Sequence, residues 1–336
     1  AARKLVLEKP VPYRAGWLDR LSNSPLLRPL LAPVFSRQVA KRAARKHDPS
    51  PYAMIDIWRK HANHKQRMLE AEAESLARLI TGATAKNLVR VFFLQEQLKS
   101  LGKDKSYQPG HVHVIGAGTM GGDIAAWCAF RGFHVTLQDQ APERIAPAMK
   151  RAYALFKRKL KRANKITDAM DRLMPDHKGI GVERADIVIE AIFEDADVKR
   201  SLYKDIEPRM KQDAILATNT SSIPLEELSN ALERPERLVG LHFFNPVAMM
   251  QLVEVVRSET TSADVVAHAM TFTRQIDRLP LPVTSTPGFL VNRILMPYLM
   301  EAVLLEAEGI PSAVIDKAAT DFGMPMGPVQ LADTVG

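Results

Sequence analysis

A glycine-patterned loop and a histidine with a glutamate close behind it are the residues in this chain best suited to chemistry. Gly116, Gly118 and Gly121 follow the apolar run HVHVI at 111–115 and open the segment GAGTMGGDIAAWCAFRG. In a G-x-G-x-x-G turn between strand and helix, the first glycine permits the tight turn and the second lets a pyrophosphate approach the backbone. The third brings helix against strand. The helix N-terminus adds a positive field for the phosphates. A second apolar run, HVTLQ at 134–138, ends at Asp139, 23 residues after Gly116. An acidic side chain there accepts from the ribose hydroxyls and repels a 2′-phosphate, so the loop is read as a site for NAD rather than NADP. Arg144 is the nearby residue that could soften that preference.

His242 stands near the end of the apolar stretch GLHFF, and Glu254 follows twelve residues later in QLVEVV. A carboxylate flanked by apolar residues is not buried without a partner. Oxidising a secondary alcohol needs a hydride acceptor and a base that takes the hydroxyl proton, and an imidazole suits that second task. Taken singly, each residue also has a structural reading as a polar group at a strand end. Cys128, the single cysteine, lies among Ala, Trp and Phe and is read as a small buried hydrophobe. One cysteine excludes an internal disulfide framework and any multi-cysteine metal site, and no metal is expected.

These residues need a scaffold, and the hydropathy pattern supplies one. Apolar runs at 111–115, 134–138, 185–193, 213–219 and 237–244 alternate with helical stretches. Near-continuous apolar strands between helices predict an α/β fold, a Rossmann-type, mostly parallel sheet covered on both faces. Upstream, Met54, Ile55 and Trp58, then Leu69, Leu76, Leu79 and Ile80, recur at helical spacing over 51–99, and residues 1–50 are basic and broken by proline. The polar stretch SLGKDKSYQPG at 100–110 marks a boundary. After Pro287 and Gly288, FLVNRILMPYLMEAVLLEAEG predicts a long apolar helix running past Pro297. The expected organisation is a helical region over 1–105, a nucleotide-binding domain over 106–285, and the start of an all-α domain over 286–336.

The formal net charge is +8. The basic residues are spread out, with local runs at Lys41 to Lys46 and Lys157 to Lys165, and no nucleic-acid motif accompanies them. Solvated helix faces are the plain reading of these runs; attraction of a phosphate-bearing ligand is the other. LLRPLLAPVF at 26–35 is interrupted by Arg28, Pro29 and Pro33 and falls short of the roughly 20 apolar residues a span needs, so no transmembrane segment is expected. The first residue is Ala and the final LADTVG has no closing element, which reads as a chain cut from something longer.

Further motifs stand downstream: NTSS at 219–222, GLHFFNPVAMMQLVEVV at 240–256, TPGFLVNRILMPYL at 286–299 and FGMPMGP at 322–328. With the glycine loop they resemble the 3-hydroxyacyl-CoA dehydrogenase family over about residues 109–336. ARKLVLEKP at 2–10 and KNLVRVFFLQEQLKS at 86–100 are similar to the helical linker that follows the enoyl-CoA hydratase domain in the multifunctional α subunit of the fatty acid oxidation complex. The resemblance implies NAD-dependent oxidation of (S)-3-hydroxyacyl-CoA to 3-ketoacyl-CoA, in a parent that also carries hydratase activity. It implies His242 as catalytic base, Glu254 as its orienting carboxylate, and Ser221 and Asn292 as groups that hold the reacting oxygen and the substrate. It also implies cofactor contacts at Gly116, Gly118, Met120, Gly121, Asp139, Ile192, Phe193, Glu194, Lys199, Ser221 and Asn245. The implied partners are an acyl-CoA substrate and a thiolase β subunit in a hetero-oligomeric complex, with a cytoplasmic location in bacteria or the mitochondrial matrix as the alternative. The pattern departs from the family at Ala248, where proline is usual. A monofunctional dehydrogenase is the near alternative, and a non-catalytic NAD-binding scaffold the alternative from another class.

Overall fold

The computed structural model describes residues 16–335; the stretch at 2–10 and the final Gly336 lie outside them. The chain divides into two compact units, Ala1–Leu94 and Gln95–Gly336. In the first, α1 (Trp17–Ser22), α2 (Arg28–Ala40), α3 (Ser50–His61) and α4 (Lys65–Thr81) follow one another, and the division falls within α5 (Ala83–Ser100). Arg28 is buried and donates to the carbonyls of Trp58 and Arg59 at 3.0 and 3.3 Å, closing the C-terminal end of α3. The helical reading of 51–99 holds, broken at 62–64 and Gly82 into three helices. The apolar stripe is only partly covered: Ile55 is buried, whereas Met54, Leu69, Leu76 and Ile80 are exposed. Among the described residues no helix is long and apolar enough to cross a membrane.

The second unit is an eight-stranded sheet with order β3-β2-β1-β4-β5-β6-β7-β8. Its strands are β1 (His111–Ile115), β2 (His134–Gln138), β3 (Leu173–Pro175), β4 (Ile187–Glu190), β5 (Ile215–Thr218), β6 (Leu238–Phe243), β7 (Leu252–Arg257) and β8 (Leu279–Thr284). The first six pair in parallel in the Rossmann order. Between them run α6 (Thr119–Phe130), α7 (Pro142–Lys159), α8 (Ala163–Asp171), α9 (Ala196–Ile206) and α10 (Leu225–Ser229). β4, β5 and β6 are buried along their whole length, which explains their continuous apolar sequences. α6 buries Ile124, Ala125, Trp127 and Cys128 in the core, and Gly122, where a Cβ would meet Ala148, lets α7 approach. Each large apolar side chain buried this way contributes about 1.5–3 kcal/mol.

The sheet is mostly parallel, as expected, and the one antiparallel pairing lies toward one edge. β7 runs antiparallel to β6, and β8 then pairs in parallel with β7 after α11 (Ala263–Gln275). β8 carries Pro280 and Pro282, which lack N–H donors and are tolerated because this is the outermost strand. α12 (Val291–Ala307), α13 (Ser312–Phe322) and α14 (Pro328–Val335) complete the described chain. The basic run from Lys157 has a plain local cause: Lys157, Arg158 and Lys159 form the exposed last turn of α7, where positive charge complements the helix dipole.

Candidate active site

The sheet order reverses between β1 and β4, and the loops after those two strands form one lip of a cleft of about 850 Å³. Gly116, Gly118, Asp139, Ile192 and Phe193 all line it. Each glycine has a distinct physical reason. Gly116 has φ +104°, and a Cβ there would overlap the carbonyl of Ala191 after β4. A Cβ on Gly121 would overlap the carbonyl oxygen of Gly116, so only glycine lets α6 start this close to β1. At Gly118 nothing of the protein lies within 4 Å of where a Cβ would stand. The missing side chain leaves open space over the N-terminus of α6, which fits a pyrophosphate against the backbone.

Asp139 closes the far side of the cleft. Its carboxylate accepts the N–H of Ala117 at 2.8 Å and that of Gln140 at 2.7 Å, which fixes its orientation and leaves acceptor capacity for ribose hydroxyls. Arg144 is exposed and stands 3.9 Å from it. Met120 lies in the first turn of α6, half-buried against the core and outside the lining of the cleft.

The second group of residues gathers at the same ends of β5, β6 and β7. Antiparallel pairing sets His242 directly opposite Glu254, so twelve residues of sequence collapse to one cross-strand pair. Nδ1 of His242 lies 2.7 Å from Oε2 of Glu254, with both side chains buried. The other oxygen, Oε1, accepts the N–H groups of Leu290 and Val291, both at 2.9 Å, at the start of α12. Burial raises the Glu254 pKa, but the His242 bond and the two amides outweigh it and hold the carboxyl below its ordinary 4.5. An ionised carboxylate only accepts, so Nδ1 carries a proton, and Nε2 is the nitrogen left to exchange one with a substrate.

The approach of α12 depends on an uncommon backbone. Gly288 and Phe289 both adopt positive φ, +75° and +50°. For phenylalanine this costs on the order of 1–3 kcal/mol. In return the turn seats the buried Phe289 ring 5.6 Å from the imidazole and aims two amides at Glu254.

Asn292, two residues past Leu290, donates from Nδ2 to the carbonyl of Ser221 at 3.3 Å. The Ser221 N–H and hydroxyl both reach Oε1 of Glu194, at 2.7 and 3.2 Å. Ser221, Asn292, Glu254 and His242 are therefore brought together through the start of α12. Lys199 does pair with Glu194, at 3.3 Å, but is only 1% exposed and lies nearer Glu190, at 2.6 Å. Its ammonium faces inward rather than into the cleft. Asn245 is exposed in the loop between β6 and β7.

Three supporting residues were not singled out from the sequence. Asn219 accepts the Phe243 N–H at 2.9 Å, tying the β5 loop to the end of β6. Arg278 is buried on the face of Trp127, 3.7 Å from the ring centroid, and donates to the Val247 carbonyl at 2.7 Å under the loop that carries Asn245. Glu190 is the third. A charged residue inside an apolar strand, as in IVIEA, was the available signal for it.

The depressed pKa of Glu254 has a measurable consequence. Such a group stabilises the folded state fully above its unfolded pKa, and the contribution is lost as pH falls through the lower folded value. The stability gap between wild type and Glu254→Gln is expected to be constant above about pH 5 and to shrink on acidification below it. Thermal melts across that range check this, and a gap that widens toward low pH would refute the ionised assignment.

Residues 111–286 match the NAD binding domain of 3-hydroxyacyl-CoA dehydrogenase, and residues 288–336 match the C-terminal domain of the same family. This chain belongs to the 3-hydroxyacyl-CoA dehydrogenase family. The family is one of NAD-dependent oxidoreductases, and the glycine loop described above lies within its NAD-binding domain. The fatty acid oxidation complex subunit alpha of Psychrobacter arcticus is 37% identical over 303 residues, which cover 88% of this chain and 42% of that protein. The chain thus spans less than half the length of that relative. FadB2 of M. tuberculosis shares the fold with a TM-score of 0.65 and 33% identity, over 68% of this chain and 83% of that one. The 3-hydroxybutyryl-CoA dehydrogenase of Escherichia coli matches with a TM-score of 0.64 and 37% identity, over 68% of this chain and 50% of that one.

Proposed function

We propose that this chain is the dehydrogenase segment of a multifunctional fatty-acid-oxidation enzyme, and that it oxidises (S)-3-hydroxyacyl-CoA to 3-ketoacyl-CoA with NAD. The observation that carries the reading is the buried 2.7 Å contact between His242 and Glu254, set by strand register in the same sheet that carries the nucleotide-binding loop. In this reading Nε2 of His242 takes the hydroxyl proton of the substrate. Glu254 stabilises the imidazolium that forms and keeps the ring in the productive tautomer. Ser221 and Asn292 hold the reacting oxygen, where donors preorganised toward developing charge are most effective. NAD, when bound, accepts the hydride.

Gly116, Gly118, Gly121 and Asp139 hold the cofactor, with Met120, Ile192, Phe193, Glu194, Ser221 and Asn245 as its further contacts. Lys199 serves the cofactor site through Glu194, since its own head group is buried. Residues 106–285 form the NAD-binding domain, 286–336 begin the all-α domain, and 1–105 are the linker region after a hydratase domain. The reach of the match supports the linker assignment. The Psychrobacter protein aligns over 88% of the chain, whereas the structures of FadB2 and the 3-hydroxybutyryl-CoA dehydrogenase cover 68%. The relative's name as a complex subunit supports a hetero-oligomer with a thiolase β subunit, and its bacterial source supports a cytoplasmic location.

The test is NADH formation by the whole protein from (S)-3-hydroxyacyl-CoA, with the (R) isomer as control. No NADH from the (S) substrate would sink the proposal. With NADP in place of NAD, kcat/KM is expected to drop more than about tenfold, because a 2′-phosphate beside Asp139 places like charges together at a cost of several kcal/mol. Equal rates with both cofactors would show that Arg144, 3.9 Å from Asp139, governs the ribose site instead.

A further inference from the structure

The loops after β4 and β5 are fastened from below by Glu190, which is fully buried at the end of β4. Its Oε1 accepts the Ile192 N–H at 2.8 Å and Lys199 Nζ at 2.6 Å. Its Oε2 accepts the Tyr203 hydroxyl at 2.9 Å and the Thr218 hydroxyl at 2.8 Å. Four donors use the whole acceptor capacity of a carboxylate. They come from the loop after β4, from α9 and from β5, so one side chain joins three elements.

Lys199 lies between two carboxylates, 2.6 Å from Glu190 and 3.3 Å from Glu194. Glu194 in turn grips the turn after β5. Its Oε1 accepts the Thr220 hydroxyl at 2.5 Å, the Ser221 N–H at 2.7 Å and the Ser222 N–H at 3.1 Å. A continuous path of charge-assisted contacts therefore runs from Glu190 through Lys199 and Glu194 to the backbone of Ser221.

We propose that Glu190 is a positioning residue for the reaction, fixing Lys199 and through it the Glu194-held turn that carries Ser221. The inference rests on the reading that Ser221 holds the substrate. A fully buried ion pair such as Glu190–Lys199 is a poor choice if stability alone is at stake, since apolar residues of similar volume do as well or better. What the arrangement supplies is a fixed location for Lys199, set by the balance of two attractions. If Glu190 loses its charge, Glu194 is the remaining anion at Lys199, and the lysine draws that carboxylate away from the amides of Ser221 and Ser222.

The variant Glu190→Gln keeps the shape and removes the charge. In the whole protein its turnover is expected to fall about tenfold, as small misplacements of catalytic groups do. Affinity for NAD should fall less than turnover, because the glycine loop after β1 and Asp139 after β2 are untouched and only the contacts at Ile192, Glu194 and Ser221 are disturbed. Hydrogen exchange at the Ser221 and Ser222 amides should quicken. Tyr203→Phe removes one of the four donors and leaves every charge in place, so it should show a smaller change of the same kind and decides the matter if Glu190→Gln does not fold. Wild-type turnover together with wild-type exchange overturns the inference. So does slower turnover with unchanged exchange, or one that merely follows a loss of NAD affinity. A wild-type protein inactive on (S)-3-hydroxyacyl-CoA would refute the proposed function instead, and the exchange rates alone would then decide the role of Glu190.

Discussion

Replacing His242 by alanine is expected to lower turnover about 10²- to 10⁴-fold while leaving NAD affinity within about threefold, the range that general-base catalysis supplies. The imidazole lies on β6, separated from the glycine loop of β1 by β4 and β5. Its Nδ1 is committed to Glu254 and its ring lies beside Phe244 and Phe289, at centroid distances of 4.6 and 5.6 Å. Removing it takes away the proton acceptor and leaves a cavity at the rim of the core rather than under the cofactor. Glu254→Gln should slow turnover as well, because an amide cannot stabilise an imidazolium, and an N–H₂ turned toward the ring favours the other tautomer. Single-turnover kinetics with calorimetric NAD binding separates the possibilities. Near-normal turnover in His242→Ala would remove the base from the mechanism, and a joint collapse of folding and NAD binding would make the residue structural.

The second large effect comes from contrasting two alanine substitutions in one loop. At Gly118 a methyl group meets no protein atom within 4 Å, so Gly118→Ala should fold with stability within about 1 kcal/mol of wild type. The same methyl stands where a pyrophosphate would approach the backbone. Overpacking of that kind costs about 1–3 kcal/mol, which weakens NAD binding about 5- to 150-fold. At Gly121 the methyl would overlap the Gly116 carbonyl, and backbone rather than a flexible side chain must yield. Gly121→Ala should therefore lose stability with or without cofactor, by about 1–3 kcal/mol or more. Denaturant midpoints and NAD titrations on both variants test this. If Gly118→Ala binds NAD normally, the loop serves only to turn the chain.

The sequence revealed the parallel half of the sheet because strands buried on both faces cannot avoid long apolar runs. Toward the two edges of the sheet the signals weaken for identifiable reasons. β8 holds two prolines, which argue against a strand until its outermost place is known, and β3 is three residues long. The antiparallel turn-back at β7 is invisible in hydropathy, yet it is what sets His242 opposite Glu254. The cleft residues were legible because glycine spacing encodes a backbone geometry directly. Glu190 and Arg278 were not, since their partners are carbonyls, hydroxyls and an ammonium from distant segments that only the fold assembles. Lys199 shows the converse: the resemblance implied it as a cofactor contact, but its burial and its tighter bond to Glu190 were not readable.

The Gly288–Phe289 turn bears on how this protein could be recombined. Two separately recognisable domains meet at residues 286–288, which invites a joint there for chimeras. The chemistry ignores that seam. Glu254 comes from the first domain and its two amide donors from the second, and the turn that aims them needs positive φ at both Gly288 and Phe289. A helical domain spliced on at residue 287 would have to bring the same turn with it, or leave a buried carboxylate short of donors beside the imidazole. A graft that retains the recipient's residues through Asn292 carries the whole polar constellation intact, and exchanges only helix surface.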